Sequence, residues 1–213
     1  MKKKLLGYYD YTVVLTYVGM GCAFYGIMQA VNEHFLNAVV FLMMAGICDM
    51  FDGTIASTKN RNRDEKRFGI QIDSLSDLIS FGVMPAVFVY MICDKDTIAG
   101  MIAGLYVLAA LIRLAYFNVT EEERQGMTSE KRTIFQGLPV TTIAVLLPVA
   151  YMVQTEMASV RWKSIYLLLL LLCGSGFLMP FEIKKPNVIG KICLVILGIL
   201  EAAGILFIGW DLI

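Results

Sequence analysis

Four aspartates stand where aspartate is costly. Asp49 and Asp52 lie near the end of one apolar stretch, and Asp73 and Asp77 early in the next. A carboxylate at membrane depth costs roughly 3 kcal/mol on insertion scales, so it normally faces a cavity, a partner or an ion. The spacings are i, i+3 and i, i+4, which on helices puts each pair on one face about a turn apart. Two helices joined by one loop bring all four together. Four negative charges in one pocket repel one another unless cations neutralise them. Oxygen-only ligation, with no His or Cys ligand set beside it, selects Mg²⁺, Mn²⁺ or Ca²⁺ over zinc or copper. Gly53 directly after Asp52, Ala56 one turn on, and Gly69 four residues before Asp73 keep the same surface open. Acids and small residues lining one cleft read as a site for a metal-bound phosphate.

The elements that hold these residues must be membrane spans. The chain has 213 residues, of which 58% are hydrophobic and only 17% charged, with mean hydropathy +0.68; an ordinary soluble domain is roughly a quarter charged. Eighteen Lys and Arg balance eighteen Asp and Glu, so there is no global basic field to hold a nucleic acid. Disorder is excluded by the dominance of apolar residues. A span needs about 20 mostly apolar residues, and seven stretches qualify: residues 11–31, 35–56, 68–93, 97–119, 138–154, 162–179 and 188–210. The fifth is short and holds Pro139 and Pro148, which neighbouring helices can accommodate. The expected fold is all-α, a polytopic transmembrane helical bundle of about six to eight spans, seven favoured, forming one domain over 1–213.

Charge placement orients the bundle. Lys2, Lys3 and Lys4 precede a span-length segment without a small-residue cleavage site, so that segment reads as the first span rather than a signal peptide. With this triplet in the cytoplasm, alternation of seven spans puts fourteen cations inside and three, Lys95, Arg161 and Lys163, outside, with Arg113 within a span. That asymmetry is the one the positive-inside rule expects. The expected protein is multi-pass, with its N-terminus and its aspartates on the cytoplasmic side. Cys22, Cys48, Cys93, Cys173 and Cys193 have neither metal-ligand nor redox spacing and read as small hydrophobes. His34 sits at the far end from the aspartates, and Glu201 reads as a helix-packing residue.

At the aspartates the chain resembles the CDP-alcohol phosphatidyltransferase family, whose signature is D-x2-D-G-x2-A-R, a spacer of about eight residues, then G-x3-D-x3-D. Asp49, Asp52, Gly53 and Ala56, then Gly69, Asp73 and Asp77, fill seven of its eight fixed positions. Ser57 stands where the family has arginine, and eleven residues separate Ser57 from Gly69. Three further strings are similar to the serine-using branch: Asp73-Ser74-Leu75-x-Asp77 running on to Pro85-Ala86, Arg113-Leu114-Ala115-x-Phe117-Asn118, and Phe135-x-Gly137-Leu138-Pro139. The resemblance covers roughly residues 10–148.

What the resemblance implies is transfer of a phosphatidyl group from CDP-diacylglycerol to an alcohol, serine in preference to glycerol 3-phosphate or inositol phosphate, with CMP leaving. It further implies two divalent cations, Mg²⁺ or Mn²⁺, held by Asp49, Asp52, Asp73 and Asp77, with Asp77 as general base. Asp49, Asp52, Gly53, Ala56, Ser57, Gly69 and Asp73 would bind the nucleotide, and the protein would be a homodimer in a prokaryotic cell membrane. Arg113 is the candidate for the acceptor carboxylate or a substrate phosphate, and Asn118 for a neutral hydrogen bond to the acceptor. An ion-coupled transporter is the competing class, since it also buries aspartates among apolar helices; the nearness of the aspartates to a basic loop argues against it. That loop carries Lys59, Arg61, Arg63, Lys66 and Arg67, one of which is expected to replace the missing arginine. Neutralising all five together is therefore expected to weaken nucleotide binding, measured by equilibrium titration, and unaltered binding would remove the idea.

Overall fold

Apolar segments in lipid have to satisfy their own backbone groups, and helices do so internally. The computed structural model describes residues 7–9, 11–59, 61–127, 134–156, 162–184, 196–201 and 203–204. Helix α1 is Val14–Val31, α2 Phe35–Ala56, α3 Arg63–Asp77, α4 Met84–Ile92, α5 Thr97–Met127, α6 Ile143–Glu156 and α7 Trp162–Leu178. A π-helical segment, Leu78–Val83, joins α3 to α4 without a break, and a 3-10 turn, Val140–Thr142, leads into α6. Residues 196–201 and 203–204 are also helical. The expected all-α membrane bundle is the fold observed. Val14–Val31, Phe35–Ala56, Arg63–Ile92 and Thr97–Arg124 are long and apolar enough to cross a membrane, and Val140–Gln154 and Trp162–Leu178 are shorter apolar helices. They match the first six expected spans. Most of the seventh, together with Lys2 to Lys4, Lys131, Arg132, Arg161, Lys185, Lys191 and Cys193, lies outside the described residues.

Several boundaries differ from those expected, each for a local reason. The third helix starts at Arg63 instead of residue 68 because Asn62 caps it: Asn62 Oδ1 accepts from Glu65 N at 2.8 Å while Asn62 N donates to Glu65 Oε2 at 2.9 Å. That reciprocal box ties two of the helix's unpaired first-turn groups. Helix α5 runs on to Met127, past residue 119, because its polar end is held by a pair one turn apart, Arg124 to Glu121 at 2.6 Å, and by Arg67 of α3 to Glu122 at 3.2 Å. Helix α1 begins at Val14 and α6 at Ile143, each a few residues later than expected. A three-residue antiparallel ribbon, β1 (Ile134–Gln136) with β2 (Glu182–Lys184), pairs Phe135 with Ile183 and was not expected; runs that short leave no periodic signal.

The π segment has a physical cause. Pro85 lacks the N–H that would pair with the carbonyl of Phe81 four residues back, and a buried orphan carbonyl is expensive. Tyr106 on α5 supplies the missing donor, its hydroxyl donating to Phe81 O at 2.6 Å from a fully buried position. Phe177 of α7 packs on Tyr106 with ring centroids 5.4 Å apart. At the other side of the core Phe88 meets Phe35, Tyr151 and Tyr166 at 5.5, 6.1 and 6.0 Å. Helices α1 and α2 come close at Gly19, where an added Cβ would lie 3.0 Å from Cys48 Cβ, and at Gly26, where it would lie 3.1 Å from Phe41 Cβ; small residues permit such contact in membranes. Cys48 thus serves packing, and Cys22, Cys48, Cys93 and Cys173 are all free thiols.

Short connectors close both ends of the bundle. At one end Lys95 reaches Glu33 at 3.5 Å and Lys163, at the start of α7, pairs with Asp94. At the other, Tyr11 and Thr58 share a hydrogen bond of 3.1 Å, and Gly137 turns the chain with φ +73° while its N–H donates to Phe181 O at 2.6 Å. A side chain at Gly137 would collide with the carbonyls of Met179 and Phe177 at 2.9 and 3.0 Å. Tyr106→Phe leaves the Phe81 carbonyl buried and unpaired, so it is expected to destabilise the protein by about 1–3 kcal/mol, read as a lower melting temperature in detergent.

Candidate functional site

The antiparallel course of α2 and α3, both packed on α1, turns two sequence spacings into one cluster. Asp49 and Asp52 present from the last turns of α2, and Asp73 and Asp77 from the last turns of α3. Running in opposite directions, the helices set Asp49 facing Asp77 and Asp52 facing Asp73, each pair of carboxyl groups within hydrogen-bonding reach. Asp52 is buried and the other three are half-buried. One carboxylate oxygen from each of Asp49, Asp52 and Asp73 lies within 4.8 Å of the others. Two oxygens bound to a single hard cation at about 2.0–2.6 Å stand up to about 4–5 Å apart, so the three fit the coordination of one such ion. Asp77 sits one turn deeper, against Asp49.

Residues of α1 complete the floor, and the sequence reading did not include them. Thr16 Oγ1 donates to Asp52 Oδ2 at 3.1 Å, and Ser76 Oγ donates to Thr16 O at 3.3 Å. Both side chains are buried, as is Ser74. The only sequence signal for Thr16 is a hydroxyl in an apolar span, which is too common to single it out. Across the cluster Ser74 Oγ donates to Asn118 Oδ1 at 2.6 Å, and Asn118 Nδ2 donates to Gln71 Oε1 at 3.1 Å. Asn118 is therefore held against α3 through both ends of its amide, at Gln71 and Ser74.

The small residues behave as their positions require. An added Cβ at Gly53 would meet nothing within 4 Å, so the surface beside Asp52 is open. Ala56 ends α2, and Ser57, its C-terminal cap, is exposed with its hydroxyl donating to Thr54 O at 2.7 Å. Gly69 is covered instead by a guanidinium: an added Cβ would come 2.6 Å from Arg61 Nη1. The positive charge of Arg61 acts on both Asp52 and Asp73.

The remaining basic residues of the loop divide differently. Lys59 pairs with Glu65 at 3.4 Å and Arg67 with Glu122 at 3.2 Å, while Arg63 and Lys66 are exposed on the first turns of α3. Arg113 is buried on α5, and its Nε donates to Leu138 O at 3.4 Å. That contact is with the turn after Gly137, while Asn118 bonds Ser74, the residue after Asp73 on α3.

The comparisons with known proteins agree with this geometry. Residues 12–175 match the model of the CDP-alcohol phosphatidyltransferase family, which extends the resemblance beyond residue 148 and through most of α7. The chain is 38% identical over 126 residues to a CDP-diacylglycerol–serine O-phosphatidyltransferase of Saccharomyces cerevisiae, covering 58% of this chain and 45% of that protein. It is 29% identical over 179 residues to the protein of the same name from Helicobacter pylori, covering 83% and 70%. An archaetidylserine synthase of Methanothermobacter thermautotrophicus is 29% identical over 151 residues, covering 70% of this chain and 61% of that one. The matched region thus spans about half of the yeast relative's length and about two thirds of the other two. With the family match covering more than three quarters of its residues and the signature aspartates gathered at one helix interface, the chain belongs to the CDP-alcohol phosphatidyltransferase family.

Proposed function

We propose that this protein transfers the phosphatidyl group of CDP-diacylglycerol to the hydroxyl of serine, releasing CMP. The observation that carries the proposal is the α2–α3 carboxylate cluster, built from the aspartates of the family signature and open beside Gly53. Serine as acceptor is supported by the names of the curated relatives, two of which are serine O-phosphatidyltransferases and a third a serine-type archaeal synthase. Glycerol 3-phosphate and inositol phosphate remain the acceptors against which it is tested.

In this reading Asp49, Asp52 and Asp73 hold divalent cations, Mg²⁺ or Mn²⁺, two per site, with Asp77 contributing from the deeper turn. Bound there, the cations neutralise the pyrophosphate and the charge that develops on departing CMP. Thr16 keeps Asp52 oriented by donating to one of its oxygens. The serine hydroxyl oxygen attacks the phosphorus that bears diacylglycerol, the bond from that phosphorus to the bridging oxygen breaks, and CMP leaves with that oxygen. Asp77 takes the hydroxyl proton. As a carboxylate it is a weak base, so holding the hydroxyl in line contributes as much as proton affinity.

Asn118 lines the acceptor side, an assignment supported by its hydrogen bond to Ser74 next to Asp73. Arg113, a buried cation five residues earlier on the same helix, is assigned to the acceptor carboxylate. The nucleotide lies over Gly53 and Ala56 and extends toward the Arg61 guanidinium that covers Gly69, with the basic loop from Lys59 to Arg67 beside its phosphates. The surplus of cations in that loop and in the other connectors of the same end supports a cytoplasmic active site. A homodimer is carried over from the family resemblance.

Purified protein supplied with CDP-diacylglycerol and Mn²⁺ is expected to release CMP with serine and at least tenfold more slowly with glycerol 3-phosphate or inositol phosphate. No CMP with any acceptor would favour a transporter instead. Asp77→Asn is expected to abolish turnover while CDP binding, followed by thermal shift, persists. Wild-type turnover in that variant would remove the base role.

A further inference from the structure

We infer that Arg61 is the phosphate-binding cation of this chain, doing from the loop what an arginine at position 57 does in the family signature. The inference rests on the reading of the cluster as a CDP-diacylglycerol site and names the residue that meets its pyrophosphate.

Three observations converge on Arg61. The first is where its guanidinium lies. It covers Gly69, and Gly69 is four residues before Asp73 on α3, so the two share a helix face one turn apart. Its charge acts on Asp52 and Asp73, the two acids nearest the loop end of the cluster. A diphosphate held at the aspartates and extending toward the start of α3 would meet that guanidinium next. Gly69 has a chain-specific reason in this arrangement, since any side chain there would push the guanidinium away.

The second is elimination within the loop. Ser57 carries no charge and donates its hydroxyl to its own helix. Lys59 is paired with Glu65 and Arg67 with Glu122. Arg63 and Lys66 are exposed on α3, whereas Arg61 is half-buried against the motif glycine. The capping box of Asn62 and Glu65 starts α3 immediately after Arg61 and so fixes the backbone from which that side chain reaches.

The third is spacing. Counted from Ser57, the spacer to Gly69 is eleven residues; counted from Arg61 it is seven, within one of the signature's usual length. Arg61 thus stands at about the signature's usual distance from the second half of the motif. Arginine rather than lysine suits the position, because its planar fork matches two phosphate oxygens at once.

The test uses the full-length protein in detergent, with CDP binding followed directly by thermal shift and CMP release followed with CDP-diacylglycerol, serine and Mn²⁺. Arg61→Ala is expected to weaken CDP binding and raise KM for CDP-diacylglycerol by about ten- to a hundred-fold, the loss typical of a charged hydrogen-bonded contact, with KM for serine within about twofold. Arg61→Lys, which keeps the charge without the fork, falls between. Adding Ser57→Arg to Arg61→Ala recovers most of what was lost. Arg63→Ala and Lys66→Ala each lose less CDP affinity than Arg61→Ala does. Unchanged CDP binding and KM in a folded Arg61→Ala protein, or a larger loss in Arg63→Ala or Lys66→Ala, would overturn the inference. Failure of the underlying reading looks different, since the unsubstituted protein would then release no CMP with any acceptor.

Discussion

Carboxylates at the ends of apolar helices persist only where another charge answers them, and the placement of α2 opposite α3 is organised around that constraint. Facing pairs, Asp49 with Asp77 and Asp52 with Asp73, concentrate four acids between the two helices, one of them buried and three half-buried. Repulsion among them makes the interface unfavourable as a purely structural device. It becomes favourable when cations share it, and a cation-loaded acidic cleft is a place to hold a diphosphate. In the proposed function, the cost of placing the acids in the bundle and the capacity to hold a diphosphate are two aspects of one arrangement.

The surrounding bundle keeps the two helices in register. Gly19 lets α1 press against α2 beside Asp49, and Thr16 reaches Asp52 from the same helix. On the other flank α5 is bound to α3 by Asn118 with Ser74 and Gln71, and by Glu122 with Arg67. The π segment after Asp77 turns the helix as it passes into the core, where Tyr106 satisfies the carbonyl that Pro85 leaves open. π-Helical stretches occur frequently at functional sites, and this one follows Asp77 directly. It gives the deep part of the helix a packing face independent of the face that carries the acids.

Much of this was legible before any coordinates. Asp49, Asp52, Asp73 and Asp77 announce themselves because charge in an apolar segment is rare and their spacing is helical, and span length alone located six helices to within a few residues at most ends. What escaped was what periodicity does not encode. The Asn62 cap, written as Asn-x-x-Glu, was readable as a helix start but lies inside a charged loop where hydropathy has no signal. The ribbon between Ile134–Gln136 and Glu182–Lys184 joins segments far apart in sequence. Thr16 is one hydroxyl among many in apolar spans. The five basic residues of the loop were equivalent as a string, and only the fold separates those paired with acids from the one lying over Gly69.

The central claim is that the α2–α3 carboxylates form a divalent-cation centre. Crystals grown or soaked with Mn²⁺ and measured for anomalous scattering test it most directly. The account predicts anomalous density between α2 and α3, within coordination distance of Asp49, Asp52 and Asp73, that disappears in Asp52→Asn. Full Mn²⁺-dependent turnover with no anomalous density there, or with the ion at another place in the bundle, would contradict it.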